Sequence, residues 1–317
     1  MMNNDTGNKI KRPLIILTGP TAAGKTGLSL ELAKRIDGEI ISADSMQVYR
    51  GMDIGTAKIG PGEMQDIPHH LIDVLDPHED FDVTVFQKLA MQAVEDICGR
   101  GKTPILVGGT GFYIQALLYG IDFTEERDPS IREELEELAG TEAGRAELVN
   151  RLRAVDPGAF ETIHPNNTRK VIRALEFYMI HQRPISKHNE NERKKDTVFD
   201  SRYFVLTMDR AALYDRINSR VDLMLEQGLV DEVRRLRDQG LDESYVSMQG
   251  IGYKEILEYL EGKTDLDTAV DKLKQNTRHF AKRQLTWFRR EKNVIWLEKE
   301  KFENDGAVLS YILSLLH

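Results

Sequence analysis

The 317-residue chain has a single cysteine, Cys98, and no uncharged apolar stretch long enough to span a membrane. One cysteine cannot form an internal disulfide or supply a cysteine-rich zinc site. The first residues, MMNNDTGNKIKRP, are polar and contain no apolar segment of the kind found in signal peptides. We therefore expect a soluble, cytoplasmic protein whose first 13 residues form a loose tail before the first strand.

The chain also has fewer basic than acidic residues: 43 Lys and Arg against 52 Asp and Glu, which gives a net charge of −9. That balance argues against a protein that coats nucleic acid nonspecifically. The charge is unevenly distributed. Residues 122–144 contain nine acidic and two basic residues, whereas residues 272–292 contain eight Lys or Arg and one Glu. A local basic surface that faces RNA is therefore compatible with the composition.

Apolar runs alternate with helical patterns in the first part of the chain. The runs that predict strands are residues 14–18, 38–44 and 103–111. A helical pattern follows the first run, and a second one spans residues 83–97. Because strand and helix alternate, we predict a parallel sheet with helices on both faces.

A charged, helical region without strand signal interrupts this alternation. It begins near residue 122 and lasts until the apolar run at 202–209, which we interpret as a returning strand of the same sheet. We predict an all-helical insert over residues 122–200, with an exposed return loop at 188–196. The predicted core domain then consists of residues 1–121 and 201–317, and residues 293–298 fit a last strand.

The segment GPTAAGKT matches the phosphate-loop pattern G-x-x-x-x-G-K-[ST] between a strand and a helix. Its residues are Gly19, Pro20, Thr21, Ala22, Ala23, Gly24, Lys25 and Thr26. Glycines let backbone N–H groups close around phosphate oxygens, while Lys25 supplies a cation and the Thr26 hydroxyl can bind Mg²⁺. The motif predicts a polyphosphate ligand, ordinarily ATP; a glycine-rich turn without ligand is the weaker alternative.

The acidic residue that usually accompanies this loop is missing from its expected place. In P-loop ATPases an apolar strand ends in an Asp that helps to hold Mg²⁺. Here the run at 105–109 ends in glycines followed by Thr110, and Asp209 comes only after the polar Thr207. This favours a small transferase over a motor or switch. A nucleotide-loaded switch that recruits RNA or protein, and a small-molecule kinase, stay open as alternatives.

Asp44 follows the second predicted strand, at the edge where parallel sheets bind ligands, although a helix cap or turn would also use Asp there. Residues 41–58, ISADSMQVYRGMDIGTAK, together with the phosphate loop, resemble the tRNA dimethylallyltransferase family. Further motifs follow in the family's order: IPHHLIDVLDP (67–77), VGGTGFYIQALLYG (107–120), INSRVDLMLEQGLVDEV (217–233), QGIGYKE (249–255) and AKRQLTWFRR (281–290). The related adenylate isopentenyltransferases, which modify free nucleotide, resemble the insert and C-terminal region less.

The resemblance implies a P-loop NTPase-like core and a Mg²⁺-dependent prenyl transfer. A dimethylallyl group would move from dimethylallyl diphosphate to the exocyclic amine of the adenosine 3′ of the tRNA anticodon, releasing diphosphate. The P-loop, Lys25 and Arg220 would stabilise the charge of the departing diphosphate. Asp44 would orient the amine and take its proton. Thr110 would line the channel between the substrates, or it caps the following helix.

The resemblance also implies RNA-binding residues in both the core domain and the insert. We expect the protein to be a monomer. Ser45, Met46 and Gln47 would help to hold a flipped adenine, as would Asp44 and Thr110. The insert would contribute anticodon-loop contacts from Arg132, Arg169, Lys170 and Arg173. The family often has Gln-Arg where this chain has Arg169-Lys170.

The basic segment 278–290 adds candidates from its own composition. Lys282, Arg283 and Arg289 would contact RNA phosphates, while the helical spacing of Phe280 and Trp287 indicates that these aromatics belong to the core. For His69 and His70, which lie side by side without a further pair at metal-ligand spacing, we expect a structural or substrate-lining role.

Overall fold

The computed structural model describes most of the chain: residues 11–121, 128–192 and 195–316. It divides into two compact units, the first formed by residues 1–118 and 198–317 and the second by residues 119–197. Most of the predicted loose tail, residues 1–10, lies outside the described residues, as does the predicted start of the insert at residue 122.

Six parallel strands form one sheet in the first unit. They are β1 (Arg12–Thr18), β2 (Gly38–Ala43), β3 (His69–His70), β4 (Thr103–Gly108), β5 (Phe199–Thr207) and β6 (Val294–Glu298). Their order across the sheet is β3-β2-β4-β1-β5-β6. The predicted α/β fold with a parallel sheet is confirmed, and each of the five predicted strands is present.

The middle of the sheet is buried on both faces. Strand β1 lies between β4 and β5, and its residues from Leu14 to Thr18 are all buried. Parallel strands covered by helices on both sides are expected to be continuously apolar, as LIIL is here. Because all carboxyl ends meet at one edge, the segments that follow β1, β2 and β4 are brought to the same side of the sheet.

The described helices fall into three groups along the chain, and the middle group belongs to the second unit. The first three are α1 (Lys25–Ile36), α2 (Val83–Gly99) and α3 (Gly111–Tyr119). The next five are α4 (Pro129–Ala139), α5 (Glu142–Val155), α6 (Pro157–Thr162), α7 (Thr168–His181) and α8 (Ile185–Glu192). The last five are α9 (Arg210–Glu226), α10 (Leu229–Asp238), α11 (Tyr253–Leu260), α12 (Leu266–Phe288) and α13 (Asp305–Ser314). None of the described helices is both long and apolar enough to cross a membrane.

The second unit has a hydrophobic core of its own. Leu135 of α4, Leu148 and Leu152 of α5, and Val171 and Leu175 of α7 are at most 3% exposed and pack together. Acidic and basic residues occupy the remaining faces of these helices, so the unit has a charged surface. Helices α4 to α8 thus fold around one apolar cluster.

Two boundaries differ from those inferred from the sequence. Strand β5 begins at Phe199 rather than at residue 202, because Phe199 pairs with Arg12 at the start of β1. It therefore includes the last two residues of the segment predicted as insert. The predicted return loop at 188–196 is wrong in its first part, which belongs to α8. That helix has no buried residue, so its sequence carries no apolar stripe.

Candidate active site

The phosphate loop connects β1 to α1 and has a backbone that requires glycine. Gly19 has φ +146°, and a Cβ at this position would lie 2.1 Å from the carbonyl oxygen of Leu206. Gly24 has φ +95° and is the residue directly before α1. The Lys25 ammonium donates hydrogen bonds to the carbonyls of Gly19 (2.9 Å) and Pro20 (2.8 Å). The loop is therefore folded back on its own lysine at the start of a helix, which is the geometry that binds phosphate.

Electrostatic coupling links Lys25 to the two other predicted charged residues of the site. Burial and then the positive charge of Arg220 lower the pKa of Lys25 to about 8, against the opposing effect of Asp44. Burial also lowers the pKa of Arg220 and raises that of Asp44. An added negative charge would stabilise the charged forms of Lys25 and Arg220, and a proton would stabilise Asp44. The two cations therefore favour an anionic ligand.

Asp44 follows β2, where it both stabilises a turn and faces a cavity. Its Oδ1 accepts hydrogen bonds from the backbone N–H groups of Met46 (2.9 Å) and Gln47 (3.4 Å), which form a turn. The side chain nevertheless lines a cavity of about 440 Å³ in the first unit. The turn holds one carboxylate oxygen, so the carboxylate is fixed in orientation where it faces the cavity.

Thr110 follows β4 and likewise has two roles. Its carbonyl accepts the backbone N–H groups of Tyr113 and Ile114, so Thr110 is the N-cap residue of α3. It also lines the same cavity as Asp44. A Cβ on the preceding Gly109 would lie 2.1 Å from Nε2 of Gln284, so a side chain there would displace that amide.

The cavity joins polar and apolar walls. Among the predicted site residues, the structure brings to it Thr21, Asp44, Ser45, Met46, Thr110, Arg220 and Arg283. Gln47 supports the turn instead, since its Oε1 accepts from the Ser42 hydroxyl (3.2 Å) and its Nε2 donates to the Thr56 carbonyl (3.3 Å). Other residues form an apolar wall: Ile217, Val221, Met224, Ile251, Leu273 and Phe280.

Phe280 and Trp287 differ in position although both are on α12. Phe280 is partly exposed and lines the cavity, with the Arg283 guanidinium 5.8 Å from its ring centroid. The prediction that it belongs to the core is therefore wrong. Trp287 packs edge-on against Phe112, and a Cβ on Gly111 would lie 2.2 Å from its indole ring. The helical spacing does not separate the two positions, because they lie seven residues apart on the same stripe.

Two buried side chains that sequence reasoning did not select for the site hold its loops. Glu232 of α10 is 2% exposed and accepts hydrogen bonds from the backbone N–H groups of residues 53, 54 and 55 at 2.9–3.0 Å. It also accepts the Tyr253 hydroxyl at 2.7 Å. The available signal was an acid at a core position, because Glu232 interrupts the apolar stripe of Leu229, Val233 and Leu236.

Gln284 connects α12 to two of the ligand-binding loops. Its Oε1 accepts the backbone N–H of Thr21 at 2.9 Å, and its Nε2 donates to the carbonyl of Gly109 at 3.0 Å. Gln284 is 6% exposed, so both bonds are shielded from water. One amide therefore ties the phosphate loop to the segment that carries Thr110.

The predicted RNA-binding side chains lie on exposed helix surfaces. In the first unit, Lys282 and Arg283 on α12 and Arg289 directly after it are exposed. The predicted RNA-binding residues of the second unit are exposed as well: Arg132, Arg169, Lys170 and Arg173. Arg132 forms ion pairs with Glu136 (3.0 Å) and Glu176 (3.2 Å), so RNA would have to compete with these carboxylates.

A histidine metal site has no support in the described part of the chain. His70 pairs with the buried Glu39 at 2.8 Å, and Nδ1 of His69 lies 2.7 Å from the carbonyl of Ile67. Neither lines the cavity, and no group of three His, Cys, Asp or Glu side chains among the described residues could hold a metal ion. Thr26 is exposed in the first turn of α1.

Comparisons with known proteins identify the family of this chain. The family described as IPP transferase matches residues 47–291, and the one described as isopentenyl transferase matches residues 13–74. A curated tRNA dimethylallyltransferase of Lachnoclostridium phytofermentans is 56% identical over 306 residues, covering 96% of this chain and 97% of that protein. One from Acetivibrio thermocellus is 50% identical, over 93% of this chain and 95% of that protein.

Solved structures give the same result. A tRNA isopentenylpyrophosphate transferase of Staphylococcus epidermidis is 44% identical with a TM-score of 0.72, and the match covers 96% of this chain and 99% of that one. A eukaryotic dimethylallyltransferase acting on tRNA is 33% identical with a TM-score of 0.77, over 90% of this chain and 74% of that one. With a phosphate loop, Asp44 and Thr110 at one edge of the sheet, this chain belongs to the IPP transferase family of tRNA dimethylallyltransferases.

Proposed function

We propose that this protein transfers a dimethylallyl group from dimethylallyl diphosphate to the exocyclic amine of the adenosine immediately 3′ of the anticodon in tRNA, releasing diphosphate. The observation that carries the proposal is the shared cavity of Asp44, Thr110 and Arg220 next to the phosphate loop. The names of the similar proteins support the same reaction. The cavity lies within a single chain, so we propose that the monomer is active, and its tRNA substrate suggests the cytoplasm.

The leaving-group side of the site consists of cations and backbone amides. Cleavage of the allylic C–O bond places negative charge on the diphosphate, so donors that meet this charge lower the barrier. Lys25 is predominantly protonated at pH 7, because its pKa is lowered only to about 8. Arg220 lines the cavity and adds a second cation. With a ligand bound, both would form charge-assisted hydrogen bonds to phosphate oxygens.

Magnesium fits this side of the site through Thr26. Mg²⁺ ordinarily takes one or two protein oxygens and completes its shell with substrate phosphates and water. Thr26 is exposed in the first turn of α1 and directly follows Lys25, and its hydroxyl is an oxygen ligand of that kind. A bound Mg²⁺ would neutralise part of the diphosphate charge.

The acceptor side of the site is organised around Asp44. Adenine's exocyclic amine becomes acidic only as the new C–N bond makes the nitrogen cationic, so a carboxylate suffices as the base. The turn through Met46 and Gln47 fixes Asp44 through one oxygen. The second oxygen would accept the amine N–H and then its proton. Thr110, which follows the neighbouring strand β4 at the same edge of the sheet, would help to orient the same base.

The apolar wall suits the five-carbon group and the base. Met224, Ile251 and Leu273 offer aliphatic surface, and Phe280 offers an aromatic face to the cavity. Exclusion of water from this wall would protect the electron-poor allylic carbon from hydrolysis. The base would enter from an anticodon loop whose unpaired nucleotides are cheap to extrude.

RNA contacts outside the cavity would come from the exposed basic side chains. Lys282, Arg283 and Arg289 lie on or directly after the helix that contributes Phe280 and Gln284 to the site, so they could meet phosphates close to the extruded base. In the second unit, Arg169 and Arg173 share one face of α7. We propose that both groups contact the anticodon stem-loop.

Mass spectrometry tests the proposal directly. Purified protein is incubated with Mg²⁺, dimethylallyl diphosphate and an anticodon stem-loop that has adenosine at the target position. We expect the RNA to gain one five-carbon unit and inorganic diphosphate to appear in equal amount. A matched stem-loop with guanosine at that position should stay unchanged. RNA of unchanged mass would refute the proposal, and production of ADP from ATP in a parallel incubation would favour a kinase or a nucleotide switch.

A further inference from the structure

Two cations outside the predicted site lie beside the phosphate loop. A Cβ built on Gly24 would be 3.4 Å from Nζ of Lys299 and 3.7 Å from Nη2 of Arg216. Both side chains therefore reach the backbone of the loop residue directly before Lys25. Sequence reasoning did not select either residue, because they lie 192 and 275 positions from Gly24.

Each of the two cations is held by a different element. Arg216 is on α9, one helical turn before Arg220, so the two guanidinium groups lie on the same helix face. Lys299 directly follows β6, and its side chain is 18% exposed. It forms an ion pair with Asp305 in the first turn of α13 at 2.5 Å. Helix α9 and the residue after β6 thus bring two positive charges to one loop.

The charges around the loop are unbalanced in the free protein. Lys25, Arg220, Arg216 and Lys299 are cations, and the positive charge of Arg216 contributes to the lowered pKa of Arg220. Among the described residues, no carboxylate forms an ion pair with Arg216 or Arg220, Lys299 pairs with Asp305, and Asp44 only partly offsets the surroundings of Lys25. Like charges held close together cost free energy, which an anion bound among them would return.

We propose that Arg216 and Lys299 bind the diphosphate of the prenyl donor from the Gly24 side of the phosphate loop, as a second pair of phosphate ligands beside Lys25 and Arg220. This inference rests on the proposed function, which supplies the diphosphate. An alkyl diphosphate carries about three negative charges near pH 7, spread over oxygens that point to more than one side. Arg216 and Lys299 would meet oxygens on the Gly24 side of the loop, so the pair should matter for binding of donor and product more than for the RNA.

Calorimetric titration with inorganic diphosphate in the presence of Mg²⁺ tests the pair without requiring turnover. Arg216→Gln and Lys299→Gln should each raise the Kd for diphosphate by about tenfold, since each removes a charge-assisted hydrogen bond. The KM for dimethylallyl diphosphate should rise in parallel, with a smaller change in the Kd for the anticodon stem-loop. Lys301→Gln is the matched control, because Lys301 is 68% exposed and pairs with Glu298 instead.

A further variant separates charge from packing at Lys299. Asp305→Asn breaks the same ion pair but keeps the lysine, so diphosphate should bind at least as tightly as in the unmodified protein. If Asp305→Asn weakens diphosphate binding as much as Lys299→Gln does, Lys299 only docks α13 and its assignment is wrong. If either Gln variant affects stem-loop binding while diphosphate binding is unchanged, that residue contacts RNA and the inference is overturned.

The outcomes also distinguish this inference from the proposed function. Prenyl transfer by the unmodified protein, with diphosphate affinity in both Gln variants within twofold of its value, would overturn the inference alone. Absence of transfer, with diphosphate binding that is lost in the variants, would refute the reaction but leave the phosphate ligands in place. No binding of diphosphate by the unmodified protein would refute both.

Discussion

Replacing Glu232 by Gln is a stringent test of how the cavity is held in shape. The carboxylate of this buried residue accepts three consecutive backbone N–H groups, from Asp53, Ile54 and Gly55, and the Tyr253 hydroxyl. Gly55 and the two residues after it line the cavity that contains Asp44. Glutamine has nearly the same shape, so the substitution changes hydrogen bonding and charge with little effect on packing.

The expected cost follows from counting acceptors. Each carboxylate oxygen accepts two of the four hydrogen bonds, whereas the glutamine amide has one oxygen and an NH₂ group that only donates. Tyr253 can rotate its hydroxyl to accept from the NH₂, which leaves at least one backbone N–H unpaired and facing a donor. With the loss of charge on the remaining bonds, we expect the free energy of unfolding to fall by about 3 kcal/mol.

Denaturant unfolding followed by circular dichroism measures this change, and steady-state prenyl transfer measures its effect on the site. We expect a higher KM for the stem-loop, because the loop opposite Asp44 loses its support. Asp231→Asn is the control, since its side chain is 77% exposed and it should shift stability by less than about 0.5 kcal/mol. A Glu232→Gln protein within about 1 kcal/mol of the unmodified one would refute the reasoning.

Three further predictions concern chemistry and RNA binding. Asp44→Asn should lower kcat by about 10²-fold or more while diphosphate affinity is retained, and near-normal turnover would remove Asp44 from catalysis. Because Lys25 loses its charge as the pH rises through its pKa of about 8, kcat/KM for dimethylallyl diphosphate should fall there. A Lys25→Arg variant that still binds should not show this fall, and an identical profile in both proteins would contradict the assignment. Replacing Lys282, Arg283 and Arg289 together by Gln should weaken stem-loop binding and reduce its salt dependence, whereas an unchanged slope of log K against log salt would contradict phosphate contact.

Local features of the chain were predictable because their determinants are contiguous. The phosphate loop depends on eight consecutive residues between a strand and a helix, and Gly19 and Gly24 have the positive φ angles that such a loop requires. The parallel sheet followed from the alternation of apolar runs and helical patterns. Asp44 was placed at the ligand-binding edge because it follows a strand of such a sheet.

Residues whose roles depend on distant partners were missed or only partly understood. Glu232 meets the loop at 53–55 across nearly 180 positions, and Gln284 meets Thr21 across 263. The helical pattern of residues 278–290 gave no information about the two hydrogen bonds of Gln284. Phe280 was assigned to the core for the same reason, since a helical stripe does not show whether it faces other side chains or a cavity.

The sequence by itself determined the fold class, the phosphate loop and the family, because helical and strand periodicity and short motifs act through neighbours along the chain. Only the tertiary structure decided which side chains share the cavity with Asp44, that Glu232 and Gln284 hold its loops, and that Arg216 and Lys299 reach Gly24. These relations arise where α9, α10, α12 and the end of β6 meet the loops that follow β1, β2 and β4. The free energy of that packing depends on contacts between segments that are far apart in sequence.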